Sequence, residues 1–460
     1  MEKANALLIG GQVYSKRMAS GGSWVLAAKF VGLIAAVAST TLLARLLQPH
    51  ELGSYYIAFS LIMMATLAGP LGLNRAVVKL TADNLALGRP ARAKGDLRKM
   101  LFLGDLAVAI MIVLAVVFRY SPWGNSLTGS IPLGISVAGT GLAAFFMTAS
   151  TLRGEAFLGM KDYRNAVLHR SMLQNILYIF ALTCVWLVFR KSDLSTVILL
   201  LGAACAIDYL IASFKIRRWM KSSPDAISPD SGVERGLYQV LRVSLPLWIA
   251  TLASFVYSQS SLWLIDWQTI AQEVALFGLA ARITQLLFRF PSNLINTIIP
   301  PYIAGFYARQ EKEKLQVMLR GSATVASVST LMMLAGFWVF GKPVLAFVFG
   351  DFYQNAYPYV LILGIGELVN AWAGAIGETL MMTDYQRGLM FISLVNCALA
   401  FLMGWYFVQW WGGIGGAWSR AIVLSLYNIM MVIFFYTKTG LRTNASLFWL
   451  SKRLFTKRAN

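Results

Sequence analysis

Charge is scarce in this chain: only 13% of its 460 residues are Asp, Glu, Lys or Arg, and 20 acidic residues stand against 40 basic ones. Histidine occurs twice, as His50 at one turn and His169 in a basic loop, which leaves no nucleophile–base pair or metal set for a hydrolase. The three cysteines, Cys184, Cys205 and Cys397, lie in apolar stretches without ligand spacing. An odd count so placed excludes a disulfide framework and a zinc site, leaving small apolar core residues. No Gly-rich phosphate loop ending in Lys-Ser/Thr is present, so hydrolysis of nucleotide by such a loop is excluded. The opening ~20 residues are polar and Gly-rich rather than a signal peptide, so the first apolar stretch is expected to act as an uncleaved anchor.

What fills the chain is apolar side chain, 58% of all residues. A soluble domain would have to carry most of that surface in water, so the bilayer is the expected solvent. Twelve spans are predicted near 22–47, 52–79, 97–118, 131–153, 165–189, 195–219, 237–262, 273–299, 318–341, 357–382, 386–410 and 413–437. Their loops carry Lys and Arg on alternate sides. One side holds the cluster from Lys79 to Lys99, that from Lys215 to Arg242 and the tail from Lys438 to Arg458, whereas the other holds only Arg119, Arg190, Lys191 and Lys342. The positive-inside rule then predicts an even span count with both termini cytoplasmic. The net charge of +20 is thereby assigned to anionic headgroups at the inner face of the membrane, and no nucleic-acid partner is expected.

The longest central polar stretch, Lys215 to Arg242, divides the spans six and six. The predicted organisation is a six-helix lobe over 1–220, a cytoplasmic linker over 221–236, a second lobe over 237–437 and a basic tail over 438–460, amphipathic or disordered. A faint repeat crosses the linker at constant offset: Glu51–Ala58 (ELGSYYIA) resembles Glu273–Ala280 (EVALFGLA). Two related lobes in parallel orientation imply a substrate cleft between them.

A charge at mid-bilayer costs on the order of 3 kcal/mol, so charges inside spans face protein or a wet cavity. Here they are Lys29, Arg75, Asp208, Arg282, Arg289, Glu367, Glu378 and Arg420. In the eighth span Arg282, Gln285, Arg289, Asn293 and Asn296 fall within an arc of about 80° on an unbroken helix, although Pro291 invites a kink. This stripe reads either as a cavity face offering guanidinium groups to an anion or as structural arginines paired with Glu367 and Glu378. Glu367, Asn370, Gly374 and Glu378 share a face of the tenth span by the same arithmetic. With Asp208, the two glutamates are candidates for ion coupling or for counter-ions. Arginine suits phosphate because its planar fork binds two oxygens and stays charged. Lys29 and Arg75 lie toward the cytoplasmic side as a candidate entry site, and Arg45 is expected to snorkel to the interface. The glycine run Gly412–Gly416 reads as close helix packing in an outer turn.

Leu42–Tyr55 (LLARLLQPHELGSY) resembles the first-to-second-span signature of bacterial polysaccharide and O-antigen flippases, within the multidrug/oligosaccharidyl-lipid/polysaccharide exporter superfamily. Leu152–Gly159 (LRGEAFLG) with Tyr163, Val348–Ala356 (VFGDFYQNA) and Gly412–Ala417 (GGIGGA) are similar to segments of the same family. The resemblance implies an all-α V-shaped transporter of twelve spans in the bacterial inner membrane, its cavity lined by the first, second, seventh and eighth spans. It implies an undecaprenyl-diphosphate-linked oligosaccharide carried to the outer leaflet by alternating access, with membrane lipids and a polysaccharide polymerase as partners. No cofactor is expected beyond a proton or sodium gradient. A cation-coupled drug exporter of the same fold stays open as the second reading, and a polyprenol-dependent glycosyltransferase or ligase as the third; the short outer loops argue against an enzyme.

Overall fold

The computed structural model describes residues 30–70, 72–119, 135–222, 237–383 and 385–446, and among these all regular structure is helical. The first half contains α1 (Phe30–Leu46), α2 (Pro49–Ala68), α3 (Leu73–Ala86), α4 (Pro90–Arg119), α5 (Ile135–Gly159), α6 (Leu173–Phe189) and α7 (Leu194–Ser222). A short helical turn, Tyr163–Val167, and a π-helical turn, Leu168–Met172, lead into α6. The second half contains α8 (Leu237–Gln268), α9 (Ala271–Leu286), α10 (Phe290–Ile298), α11 (Pro300–Ala308) and α12 (Lys312–Phe349). It continues through α13 (Tyr357–Ala373) and α14 (Ile376–Met382) to α15 (Gln386–Thr439). Residues 223–236 of the expected linker and 447–460 of the tail lie outside the described residues.

Among the described residues, five helices are long and apolar enough to cross a membrane, and three bent pairs raise that number to eight. Their outward surface carries Phe347 at 84% exposure and Trp410 at 76%, which suits lipid and not water. The chain is a multi-pass helical membrane protein.

Four expected spans are not single rods: the fifth bends by 41° across the π-helical turn, and the other three break at a glycine or a proline. The second is divided at Gly72, whose φ of 83° is a left-handed conformation that glycine adopts without strain. The eighth bends by 47° between α9 and α10, where Pro291 opens the second helix. The Phe288 carbonyl, left over at that bend, accepts from Thr330 Oγ1 at 3.1 Å. The tenth bends by 45° at Gly374, with φ at 73°. Gly412 (φ 57°) interrupts α15 where the outer turn between the last two spans is expected, so the glycine run supplies the turn itself as well as the packing. At another turn, a 2.5 Å hydrogen bond from Thr196 holds the Asp193 carboxyl below its ordinary range at the start of α7.

Contacts gather the expected outer turns at one end: Ser192 N–H donates to Leu46 O at 3.1 Å, and Gly413 N–H donates to Glu273. We call this the outer end, after the expected orientation. The core is shared there and divided at the other end. One apolar cluster joins Leu46, Leu52 and Tyr56 to Ile265, Phe277 and Phe349. Near the inner end, one cluster within 73–216 and another within 250–441 belong to the two halves separately.

The shared cluster contains residues of both similar segments, Glu51–Ala58 and Glu273–Ala280. α2 packs on α9, and equivalent positions of the two copies meet: a Cβ on Gly278 would lie 3.1 Å from Tyr56 Cβ, and one on Gly53 would lie 3.3 Å from Ala275 N. In lipid, where apolar transfer does not drive helices together, close backbone approach at small residues supplies the attraction.

Candidate functional site

Between the halves, the outer end is closed by polar contacts as well as packing. Arg45 does more than snorkel: its guanidinium donates to the Phe347 carbonyl at 2.6 Å and the Val348 carbonyl at 3.0 Å. These are orphan carbonyls at the C-terminus of α12, where a cation also meets the negative end of the helix dipole. Deeper in, Trp263 Nε1 donates to Ser60 Oγ at 2.8 Å and Trp248 Nε1 to Leu67 O at 2.9 Å, joining α8 to α2. Phe30 and Phe290 form an edge contact at 5.1 Å between α1 and α10. Replacing Arg45 with alanine is expected to loosen the outer end by about 1 kcal/mol, a roughly fivefold shift of any open–closed equilibrium. Spin labels at Gln48 and Asn355, with the three cysteines replaced by alanine, would report it as a longer distance.

Beneath this closure lies the predicted stripe. Arg282, on α9, is half-buried within electrostatic reach of Tyr55 and Tyr56, and among the described residues no carboxylate pairs with it. Gln285, one turn on, is exposed. Arg289 sits at the bend, and Asn293 and Asn296 continue on α10. The 47° bend breaks the single face expected of an unbroken helix, so the stripe turns a corner at Arg289.

Arg289 belongs to a second constellation, inside the second half. Glu367 of α13 is buried, accepts from Asn370 Nδ2 at 2.9 Å, and interacts electrostatically with both Arg289 and Arg420. Arg420 also lies 5.9 Å from the Phe277 ring. Tyr257 and Tyr427 stack obliquely at 5.3 Å beside these charges, and Tyr427 OH shares hydrogen bonds with Ser254 at 3.3 Å and Ser393 at 3.1 Å. Two guanidiniums around one carboxylate leave one positive charge in excess. Glu367 thus lies within electrostatic reach of both Arg289 and Arg420, whereas among the described residues no carboxylate pairs with Arg282.

The remaining predicted residues lie elsewhere. Glu378 is on α14, beyond the Gly374 break, so it does not share a helix face with Glu367. Asp208 is fully buried in the first half against His169, which is therefore not a loop residue. Lys29 lies outside the described residues, and Arg75 is placed only by its backbone on α3. Sequence reasoning passed over Ser254, Ser393 and Tyr427, which come together from three different spans; only their polarity in apolar surroundings marked them.

A family model described as polysaccharide biosynthesis protein matches residues 18–304 of the chain. The probable low-salt glycan biosynthesis flippase Agl15 of Haloferax volcanii is 20% identical over 391 residues, covering 85% of this chain and 77% of that protein. Among solved structures, an inward-facing multidrug resistance transporter of the MATE family and MOP superfamily superposes with a TM-score of 0.66 at 17% identity, covering 88% of this chain and 95% of that one. The lipid II flippase MurJ in an inward closed conformation superposes with a TM-score of 0.65 at 12% identity, covering 90% and 87%. At these identities the two structures establish a shared fold.

Proposed function

The chain belongs to the polysaccharide biosynthesis protein family, and on that premise we propose that it flips a lipid-linked glycan across the bacterial inner membrane, moving an undecaprenyl-diphosphate oligosaccharide from the cytoplasmic to the outer leaflet. The observation that carries the reading is Arg282, a half-buried guanidinium between the halves with no carboxylate partner among the described residues. A carboxylate-free arginine in a membrane interior is costly unless an anion visits it. A diphosphate matches its two-pronged donor geometry.

In this reading the twelve spans cross with both termini cytoplasmic, and the halves separate at the inner end to admit the substrate. Lys29 and Arg75 meet the diphosphate at entry, and it advances to Arg282 and to the excess positive charge around Arg289. Gln285, Asn293 and Asn296 offer hydrogen bonds to the glycan, while the polyprenyl tail stays in lipid. Release outward requires the Arg45 contacts and the α2–α9 seam to part. A drug exporter for cations fits less well, because its cavity would gather positive charge against positive charge.

The test is translocation of a fluorescent undecaprenyl-diphosphate oligosaccharide in proteoliposomes, scored by accessibility to a membrane-impermeant quencher. Protein-dependent flipping with the lipid mass unchanged is the expected result. Absence of flipping across several glycans and ion gradients would favour drug export, and a changed mass would point to a glycosyltransferase or ligase.

A further inference from the structure

The first half contains a buried titratable cluster that no step of the proposed transport path uses. Asp208 on α7 and His169 in the π-helical turn are both 0% exposed, with Asp208 Oδ1 2.6 Å from His169 Nδ1. The other carboxylate oxygen accepts from Ser150 Oγ and, at 3.0 Å, from Gln174 Nε2. On the far side of the imidazole, Lys215 Nζ stands 3.2 Å from Nε2 and donates to Asn165 Oδ1 at 2.7 Å.

With Lys215 as an ammonium, which has no lone pair, Nε2 is the acceptor and Nδ1 carries the hydrogen donated to Asp208. The cluster is then a neutral imidazole held between one cation and one anion. The LRGEAFLG segment builds it. Phe157 stacks on the imidazole at 5.4 Å, and a Cβ on Gly154 would lie 3.1 Å from the His169 carbonyl carbon, so α5 presses directly on the π turn. That turn is what allows His169 and Gln174, five residues apart and about 140° apart on an α-helix, to reach the same carboxylate.

The other charged groups packed around the cluster are already paired. Arg153 of α5 binds Asp105 of α4 at 2.8 Å and covers the Tyr209 ring at 4.2 Å, and Arg170 binds Glu155 at 2.8 Å. Asp162 is held by Asn165 at 2.7 Å, and the Cys205 thiol lies within electrostatic reach of Asp208. One atom is left over: Gln174 Oε1 is buried without a hydrogen-bond partner, an acceptor beside the carboxylate that suits a hydrated proton. Among the described residues no group of three acidic, His or Cys ligands gathers for a metal, and the Lys215 ammonium repels one.

We propose that Lys215, His169 and Asp208 form a proton-binding centre that links proton entry from the inner side to the packing of α5, α6 and α7. The incoming proton adds to His169 Nε2. Lys215 keeps its own proton and its Asn165 acceptor and gives up the imidazole. Nδ1–H remains on Asp208, which becomes the counter-ion of an imidazolium. Two cations then face one another where one had faced a lone pair, and their repulsion moves the inner part of α7 away from the π turn. Proton loss reverses the step.

The chain's two histidines make the centre directly observable. In a His50→Gln background, imidazole nitrogen NMR of the ¹⁵N-labelled protein in nanodiscs reads His169 alone. Over a pH series, the expected result is a neutral Nδ1–H tautomer that gives way to imidazolium at the acid end. The transition should move in opposite senses in Lys215→Met and Asp208→Asn, because one removes the positive neighbour and the other the negative one. A His169 locked in a single state across the series, or a transition indifferent to both variants, overturns the proposal. A second arm rests on the flippase reading: a pH gradient should accelerate flipping in proteoliposomes, and His169→Gln should abolish that response. Flipping that ignores the gradient in the native protein refutes the coupling, whereas no flipping under any condition counts against the transport reading alone and leaves the NMR result to decide the centre.

Discussion

Replacing Arg282 with alanine is expected to slow glycolipid flipping by about ten- to a hundredfold, the loss of one charge-assisted hydrogen bond to a desolvated phosphate. The thermal midpoint of the purified protein should not move, because no carboxylate is left behind by the change. Arg282→Lys should recover the charge but not the fork, and so only part of the rate. The measurement is initial flipping rate per reconstituted protein, with the melting curve taken on the same sample. An unchanged rate would remove Arg282 from the substrate path; a fallen midpoint would make it a structural residue.

The opposite signature is expected at Glu367. Glu367→Gln keeps the shape of the side chain but leaves Arg289 and Arg420 facing one another without their carboxylate. Breaking a buried charge set by removing one partner costs about 3–5 kcal/mol, so the unfolding midpoint in detergent should fall markedly. Removing Arg289 as well, in Glu367→Gln/Arg289→Gln, should restore much of the loss, since one cation and its polar neighbours remain in place of two. A double variant no more stable than the single one would show that the carboxylate is not the counter-ion. Arg289 alone stands between the two cases: Arg289→Ala should reduce flipping while disturbing the second half less than Glu367→Gln does.

The contrast between these two arginines was only half legible in the sequence. Hydropathy locates helical stretches because the bilayer imposes their length, and Pro291 marks the bend of the eighth span because the ring cannot continue the preceding helix. Helical arithmetic gathers Arg282 and Arg289 on one side, but which of them has a counter-ion depends on where α13 and α15 pass, a non-local fact. The same holds for Arg45, whose partners on α12 lie about three hundred residues away. Glycine at 72 and at 374 gave no warning of a break, since glycines are frequent in membrane helices and most continue the helix. His169 was misplaced for a different reason: the basic residues around it read as a loop, and a π turn has no sequence periodicity that distinguishes it from the helix it interrupts.

The seam between α2 and α9 has the form of an isologous contact, in which position 53 meets its equivalent 275 and position 56 meets 278. In a homodimer, a residue that meets its own copy near the axis faces an identical side chain, so a tyrosine there must confront a tyrosine and a glycine must confront a hollow. Joining both copies in one polypeptide lifts that constraint. Tyr56 is the knob and Gly278 the socket, a pairing that two identical segments could not make.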